Sequence, residues 1–373
     1  MTPEENKKVF DDLVYLAACA VNGQAAEKSR TDGMDLSLVY EAAQDHKLAA
    51  AAGMALESAG IRNETFVQAV AKAMRKNALL DADRAELTRK LEEAGIWYMP
   101  LKGAILKDLY PRFGMREMAD NDILVDASRA KDVRKIMLEL GFEVEQTGKG
   151  HHDEYRKPPV SNFEIHRMLF SALDNAALEN YYADVDKRLI PDKEGSCGRH
   201  FSTEDFYLYL VAHEYKHYYK GGTGLRSLLD IYVFLRKYRN ALDMDYVAAE
   251  AEKMGTAGYE KQNRNLALRL FSGEELTGAE QEMFAYYASS GAYGFYTNKV
   301  INQVKSFGGG LRGKLRFFWS RLFMPMEKIR YSYPVVYRYK ILLPFLYIYR
   351  IIKGLTFRRG TTLADLKALK KTM

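Results

Sequence analysis

The sequence predicts an α+β fold in which a small mixed-sheet module is held between N- and C-terminal helical regions. Three observations predict it. Ala- and Leu-rich helical periodicity fills the stretch up to residue 94. From Ile96 the pattern turns to short aromatic and apolar runs of strand length, and helical periodicity returns after His166. The expected divisions are an N-terminal helical region (1–94), a sheet-bearing core (95–170), a C-terminal helical domain (171–304) and a basic aromatic tail (305–373). A chain of 373 residues is long enough to bury more than one core.

In chain order, Asp35 to Ala59 reads as a helical run stopped by Gly60. A second helix carries Leu80, Leu87 and Leu91 on one side and stops at Gly95. Ile96 to Met99, closed by Pro100, reads as a buried strand, and Ala104 to Leu109 as a helical stretch after it. Ala119 to Val125 is the second strand. Ser128 to Leu140 places Ala130, Val133, Ile136, Met137 and Leu140 on one face, with Gly141 as the stop. Phe142–Gln146, Asp153–Lys157 and Asn162–His166 complete the strands, the last two separated by Pro158-Pro159. Ser202 to Asp205 resembles a helix start, and the Gly221 to Gly224 segment parts that helix from the next, Leu225 to Tyr238.

Composition narrows the function classes. With 47% hydrophobic and 28% charged residues and no low-complexity tract, most of the chain is expected to fold. An acidic start without an apolar stretch predicts a cytoplasmic protein. Cys19 and Cys197 form no metal or redox pattern, which excludes a disulfide framework. The longest uncharged apolar stretch, Ile341 to Tyr349, contains Pro344 and falls short of the roughly 18 residues a spanning helix needs. The net charge of +6 is concentrated between Arg312 and Arg359, with twelve Lys and Arg against Glu327 alone, alternating with aromatics. Three partners fit that pattern: single-stranded nucleic acid, an anionic membrane met peripherally, or the protein's own helical domain.

The chemistry centres on three acids. Residues two apart in a strand share a face, so Asp120 and Asp122 would project together, a repulsive pair that a divalent ion neutralises. Glu164 lies between apolar neighbours in a strand, where a charge needs a partner; His166 shares its face, as an orienting or a structural histidine. On this reading, removing the Asp122 charge relieves repulsion and leaves stability equal or slightly higher. Lys102-Gly103 stands at a strand-to-helix turn whose free N–H groups suit phosphate; an ordinary turn with a solvated lysine fits as well. Arg116 would reach a triphosphate, pair with Asp120 or Asp122, or be solvated in its loop. A competing metal motif is His213-Glu214-Tyr215-Lys216-His217, with the H-E-x-x-H spacing of zinc hydrolases and Asp230 among the candidates for a third ligand.

The ordered set Leu101-Lys102-Gly103, Leu109-Tyr110-Pro111, Arg116, Ala119 to Val125 (ADNDILV), Leu140-Gly141-Phe142 and Phe163 to His166 (FEIH) resembles the uncharacterised nucleotidyltransferase family of the DNA polymerase β superfamily. His213, His217, Leu225-Arg226 and Leu229-Asp230 resemble that family's helical elements, so the resemblance covers residues 30 to 240 or thereabouts. It implies a polymerase β-type module in which Asp120, Asp122 and Glu164 hold two Mg²⁺ (or Mn²⁺) ions and Lys102, Gly103 and Arg116 contact the nucleotide. An NTP would be the substrate, and the acceptor hydroxyl is left open among small molecules, sugars, proteins and RNA. The superfamily's usual Gly-Ser is absent, as is typical in this family, and Asn121 stands where an apolar residue is common. A noncatalytic nucleotide-binding or scaffold protein that has kept the fold is the rival from another class.

Overall fold

The computed structural model describes residues 2–148, 150–291, 296–356 and 369. They fall into two compact units, residues 1–214 with 224–288, and residues 215–223 with 289–373.

The first unit opens with helices α1 (Pro3–Asn22), α2 (Lys28–Thr31), α3 (Leu36–His46), α4 (Ala49–Ser58) and α5 (Glu64–Glu93). The run from Asp35 to Ala59 is thus two helices rather than one, because Lys47 adopts a left-handed φ of 57° and ends α3. Residues 49–56 are all buried, so the alanines serve close packing. A Cβ at Gly53 would lie 3.0 Å from Val70 Cγ2 and 3.1 Å from the Phe66 carbonyl, which sets how closely α4 and α5 approach.

Five strands form one mixed sheet: β1 (Tyr98–Pro100), β2 (Asn121–Val125), β3 (Glu143–Gln146), β4 (His152–Lys157) and β5 (Ser161–His166). Their spatial order is β1-β2-β5-β4-β3, with β2 and β5 parallel and every other neighbouring pair antiparallel. A short helix α6 (Gly103–Leu106) follows β1, and α7 (Ala130–Glu139) follows β2. Alternation assigns the two faces. Ile123, Val125, Tyr155, Phe163 and Ile165 pack on Leu87 and Leu91 of α5 and on Val133, Ile136 and Met137 of α7. The residues between them point the other way: the register aligns Asp122 with Glu164, Glu164 with Glu154, and His166 with His152.

Helices α8 (Ala172–Tyr181), α9 (Thr203–Lys220), α10 (Leu225–Tyr238), α11 (Met244–Lys253), α12 (Ala257–Ser272) and α13 (Gly278–Ala288) complete the chain up to residue 288. Ser202 caps α9 by accepting from the Asp205 N–H at 3.1 Å. The second unit carries α14 (Tyr296–Ser306), α15 (Gly310–Leu322), α16 (Met326–Ser332), α17 (Pro334–Arg338) and α18 (Leu343–Thr356), with a small core of Val300, Val304 and Phe317. No helix among the described residues is long and apolar enough to cross a membrane, and Cys19 and Cys197 are free thiols.

Candidate active site

Asp122 sits inside β2, directly opposite Glu164 on the parallel strand β5. One oxygen of each, with a ring nitrogen of His166, lies within 4.8 Å of the others. Asp120 precedes the strand, which begins at Asn121 and not at Ala119. The reason lies in α5: Lys76 Nζ donates to the Ala119 carbonyl at 2.7 Å, and the Asn121 side chain donates to the Leu80 carbonyl and accepts from Arg84. Asn121 therefore takes the place of an apolar residue as a fully buried polar strut between strand and helix.

Lys102 leaves β1 with φ 43°, a left-handed backbone uncommon outside glycine, and its ammonium donates to Asp122 Oδ1 at 2.7 Å. His166 Nε2 lies 2.9 Å from the same oxygen. Both side-chain hydrogen bonds to this carboxylate among the described residues thus land on Oδ1. A Cβ at Gly103 would lie 2.5 Å from Arg116 Nη1 and 2.7 Å from Met118 Sδ, so a larger residue there would have to displace those side chains.

The electrostatics separate the two aspartates. Burial and the charges of Asp122 and Glu164 push the Asp120 carboxyl up to about 7, against the pull of Lys102 and Arg226. Burial also opposes the Asp122 charge, but Lys102 and the hydrogen bond to His166 outweigh it and hold that carboxyl well below the usual range. Burial opposes the Lys102 ammonium too, and Asp122 more than offsets this, so the lysine stays protonated above its ordinary value. Repulsion therefore falls on Asp120. The expectation that removing Asp122 relieves strain is corrected: its carboxylate is the partner of a largely buried ammonium.

Arg116 is neither solvated nor paired with Asp120 or Asp122. Its Nε and Nη2 donate to Asp230 of α10 at 2.7 and 2.8 Å, and the Tyr110 hydroxyl donates to the same carboxylate at 2.7 Å. All three are buried. The 110–118 loop is further held by Asn77, which donates to the Arg116 carbonyl at 3.0 Å, and by Arg226, which donates to the Glu117 carbonyl at 3.1 Å. Tyr110, Arg116, Arg226 and Asp230 are thus parts of one brace behind Asp120.

The H-E-x-x-H motif is used differently. Glu214 is buried, accepts from Asn263 Nδ2 at 2.9 Å, and is pushed far above the usual carboxylate range by burial and by Asp230. A neutral carboxyl packed against α12 is no general base for a zinc-bound water. Among the described residues the groups able to hold a metal include neither His213 nor His217.

Four residues near the acids were given no role there by sequence reasoning, Arg226 having been noted only as part of the family-like helical pattern. Arg226 is a second cation acting on Asp120. Tyr209 is buried with Lys102, Asp122 and Glu164 as its charged neighbours; burial, with the Asp122 and Glu164 charges, raises its phenol against the pull of Lys102. His152 and Glu154 stand on the acid-bearing sheet face. Only strand alternation in β4 signals the last two; Arg226 and Tyr209 reach the site from helices whose placement no local pattern encodes.

A family model described as uncharacterised nucleotidyltransferase matches residues 32–272. A crystal structure of an antigenic nucleotidyltransferase-like protein from Paracoccidioides brasiliensis aligns over 56% of this chain and 96% of that one, at 15% identity and a TM-score of 0.34. No curated protein matches.

Proposed function

The chain belongs to the uncharacterised nucleotidyltransferase family, and from that premise we propose that it is a metal-dependent enzyme moving a nucleoside monophosphate from an NTP to an acceptor hydroxyl. The observation that carries the reading is the abreast pair Asp122 and Glu164 on parallel strands, with Asp120 on the approach to β2 and Lys102 on Asp122. An acidic group with one ligand oxygen each from Asp122 and Glu164 within 4.8 Å, and a third carboxyl disfavoured as an anion, fits hard divalent cations, which take oxygen ligands. Asp120, Asp122 and Glu164 would hold two Mg²⁺ or Mn²⁺ ions. When bound, such ions neutralise phosphate charge and make a hydroxyl more acidic.

The residues of the chain supply the rest. Lys102, protonated and bonded to Asp122, would supply a cationic donor to a phosphate oxygen of the bound nucleotide. Glu164, whose side chain is the more exposed of the facing pair, is placed to accept the proton of an acceptor hydroxyl. The hydroxyl oxygen bonds to the α-phosphorus, the bond to the bridging oxygen of the β-phosphate breaks, and pyrophosphate leaves. Arg116, which the sequence offered as a nucleotide contact, acts at a distance by bracing the loop that carries Asp120.

The test is a screen of radiolabelled NTPs with Mg²⁺ or Mn²⁺ against cell extract, reading label transferred to any acceptor. Transfer that needs the metal and disappears in Asp122→Asn supports the reading. Transfer retained by Asp122→Asn, or none with any of the four NTPs, sinks it and leaves the noncatalytic binding protein.

A further inference from the structure

Beside the acids, the same sheet face carries a second set of ligands of different chemistry. His152 and His166 face each other across β4 and β5, and His151 precedes β4. One ring nitrogen from each of the three lies within 4.8 Å of one from the other two, and the ring centroids are 4.6, 5.1 and 5.5 Å apart. His166 is almost wholly buried.

The two opposed rings are oriented alike. Nε2 of His166 lies 2.9 Å from Asp122 Oδ1, and Nε2 of His152 lies 3.2 Å from Glu154 Oε1. A neutral imidazole facing a carboxylate carries its proton on that nitrogen and its lone pair on the other. That other nitrogen, Nδ1, is buried in both rings without a hydrogen-bond partner. Buried polar atoms are nearly always satisfied, so two orphaned ring nitrogens on adjacent histidines call for a ligand. The arrangement of carboxylate, imidazole and free nitrogen is the one that metal-binding histidines adopt, the carboxylate fixing the tautomer and raising the basicity of the ligating nitrogen.

We propose that His151, His152 and His166 bind a borderline divalent cation, with zinc as the representative ion, at a site that adjoins the proposed magnesium-binding acids and shares His166 with them. Imidazole nitrogens favour zinc over magnesium, while the carboxylate oxygens next to them favour the hard ion, so one sheet face can sort two metals. Zinc–nitrogen bonds of about 2.0–2.1 Å require the three nitrogens to close to roughly 3.3 Å of one another. Three protein ligands leave a fourth position for water or a bound group. Because His166 also faces Asp122, a cation on its Nδ1 fixes the Nε2–H that holds Asp122 in place.

The inference is read by binding alone, so it stands or falls apart from nucleotidyl transfer. The full chain is stripped of metal, and Zn²⁺ is titrated against a chromophoric chelator with Mg²⁺ in excess; Co²⁺ serves as a spectroscopic probe. One equivalent of Zn²⁺ should bind at micromolar affinity or tighter. His151→Gln and His152→Gln should each weaken it by at least about tenfold, and Asp120→Asn by less than about threefold. Bound Co²⁺ should give the intense visible bands of a four-coordinate, nitrogen-rich site. Absence of zinc binding overturns the proposal, as does an Asp120→Asn loss as large as that of the histidine variants, which would place the ion on the acids. Should His152→Gln fail to fold, His151→Gln, outside the strand, and the Co²⁺ spectrum of the unaltered chain still decide.

Discussion

At the scale of single residues, the two aspartates of one short motif have opposite energetic roles, and stability measurements on the metal-free protein should show it. The Asp120 carboxyl is raised from 3.8 to about 7 in the fold, so its ionisation disfavours the native state: stability falls as pH rises from about 4 and the cost is fully present above about 7. Asp120→Asn should therefore raise the unfolding midpoint at pH 8 and change it little near pH 4. Asp122→Asn should lower stability at pH 8 by about 3 kcal/mol, because it strands the largely buried Lys102 ammonium. An Asp122→Asn protein as stable as the parent would refute that assignment. His46 gives a signal of the opposite slope. Its Nδ1 accepts from the Leu225 N–H at 3.0 Å, so Nε2 carries the proton toward the Ala288 carbonyl, and burial holds the ring neutral with its value lowered to about 4. The unfolded chain takes up that proton first, so stability is lost as pH falls from about 6.5 to about 4, by roughly 3 kcal/mol. Denaturant titrations across that range should show the slope in the parent and a flatter one in His46→Gln. At this scale the facing of Asp122 and Glu164 was legible from strand alternation, whereas Asp120 lies before the strand. Which aspartate carries the strain was not legible, since it depends on a lysine that arrives from β1.

At the scale of elements, every strand of the core was legible to within two residues, because apolar alternation and flanking Gly or Pro act locally. The errors came from long-range contacts. The strand expected from Ala119 begins at Asn121 because Lys76 and Leu80 of α5 capture the preceding backbone and side chain, and one expected helix is two because Lys47 turns left-handed. Arg116 shows the same limit: its position in the motif was legible, but its partner lies 114 residues on. The brace of Arg116, Tyr110 and Asp230 joins the loop before β2 to α10, and this predicts two separable effects. Asp230→Asn should destabilise the protein by about 3–5 kcal/mol by leaving a buried guanidinium unpaired. The paired change Arg116→Met with Asp230→Leu should recover most of that stability in chemical denaturation. If the brace positions Asp120, the double variant should still transfer nucleotide at least about tenfold more slowly than the parent, since small misplacements of catalytic groups are costly. Full activity in a stable double variant would reduce the brace to packing alone.

At the scale of the whole molecule, the basic and aromatic C-terminal segment falls in a compact unit of its own with residues 215–223 and 289–310. The pattern showed that the segment differs from the rest; it did not show which apolar groups pack inward. Phe317, Ile329 and Leu346 are buried, whereas Leu311, Trp319, Ile341, Phe345, Ile348 and Ile352 are exposed, Ile341 at 82%. Exposed cations accompany them at Arg312, Arg316, Arg338 and Lys340, and Arg358 and Arg359 lie outside the described residues. So many exposed large apolar groups on one short segment are unusual unless something covers them. The choice among partners turns on their kind: the aliphatic Leu311, Ile341, Ile348 and Ile352 offer no ring for a base to stack on, but suit the acyl boundary of a bilayer whose headgroups pair with the cations. We therefore expect the protein to cosediment with vesicles containing phosphatidylserine and not with neutral phosphatidylcholine ones, and to be released by high salt. Ile341→Asp with Phe345→Asp should abolish sedimentation while leaving the melting temperature nearly unchanged, because both side chains are already in water. Deleting the segment is the poorer test, since it would strip Phe317 from Val300 and Val304. A variant that still sediments, or a parent that ignores anionic vesicles and instead dimerises with concentration through these residues, would show that a protein surface covers them rather than a membrane.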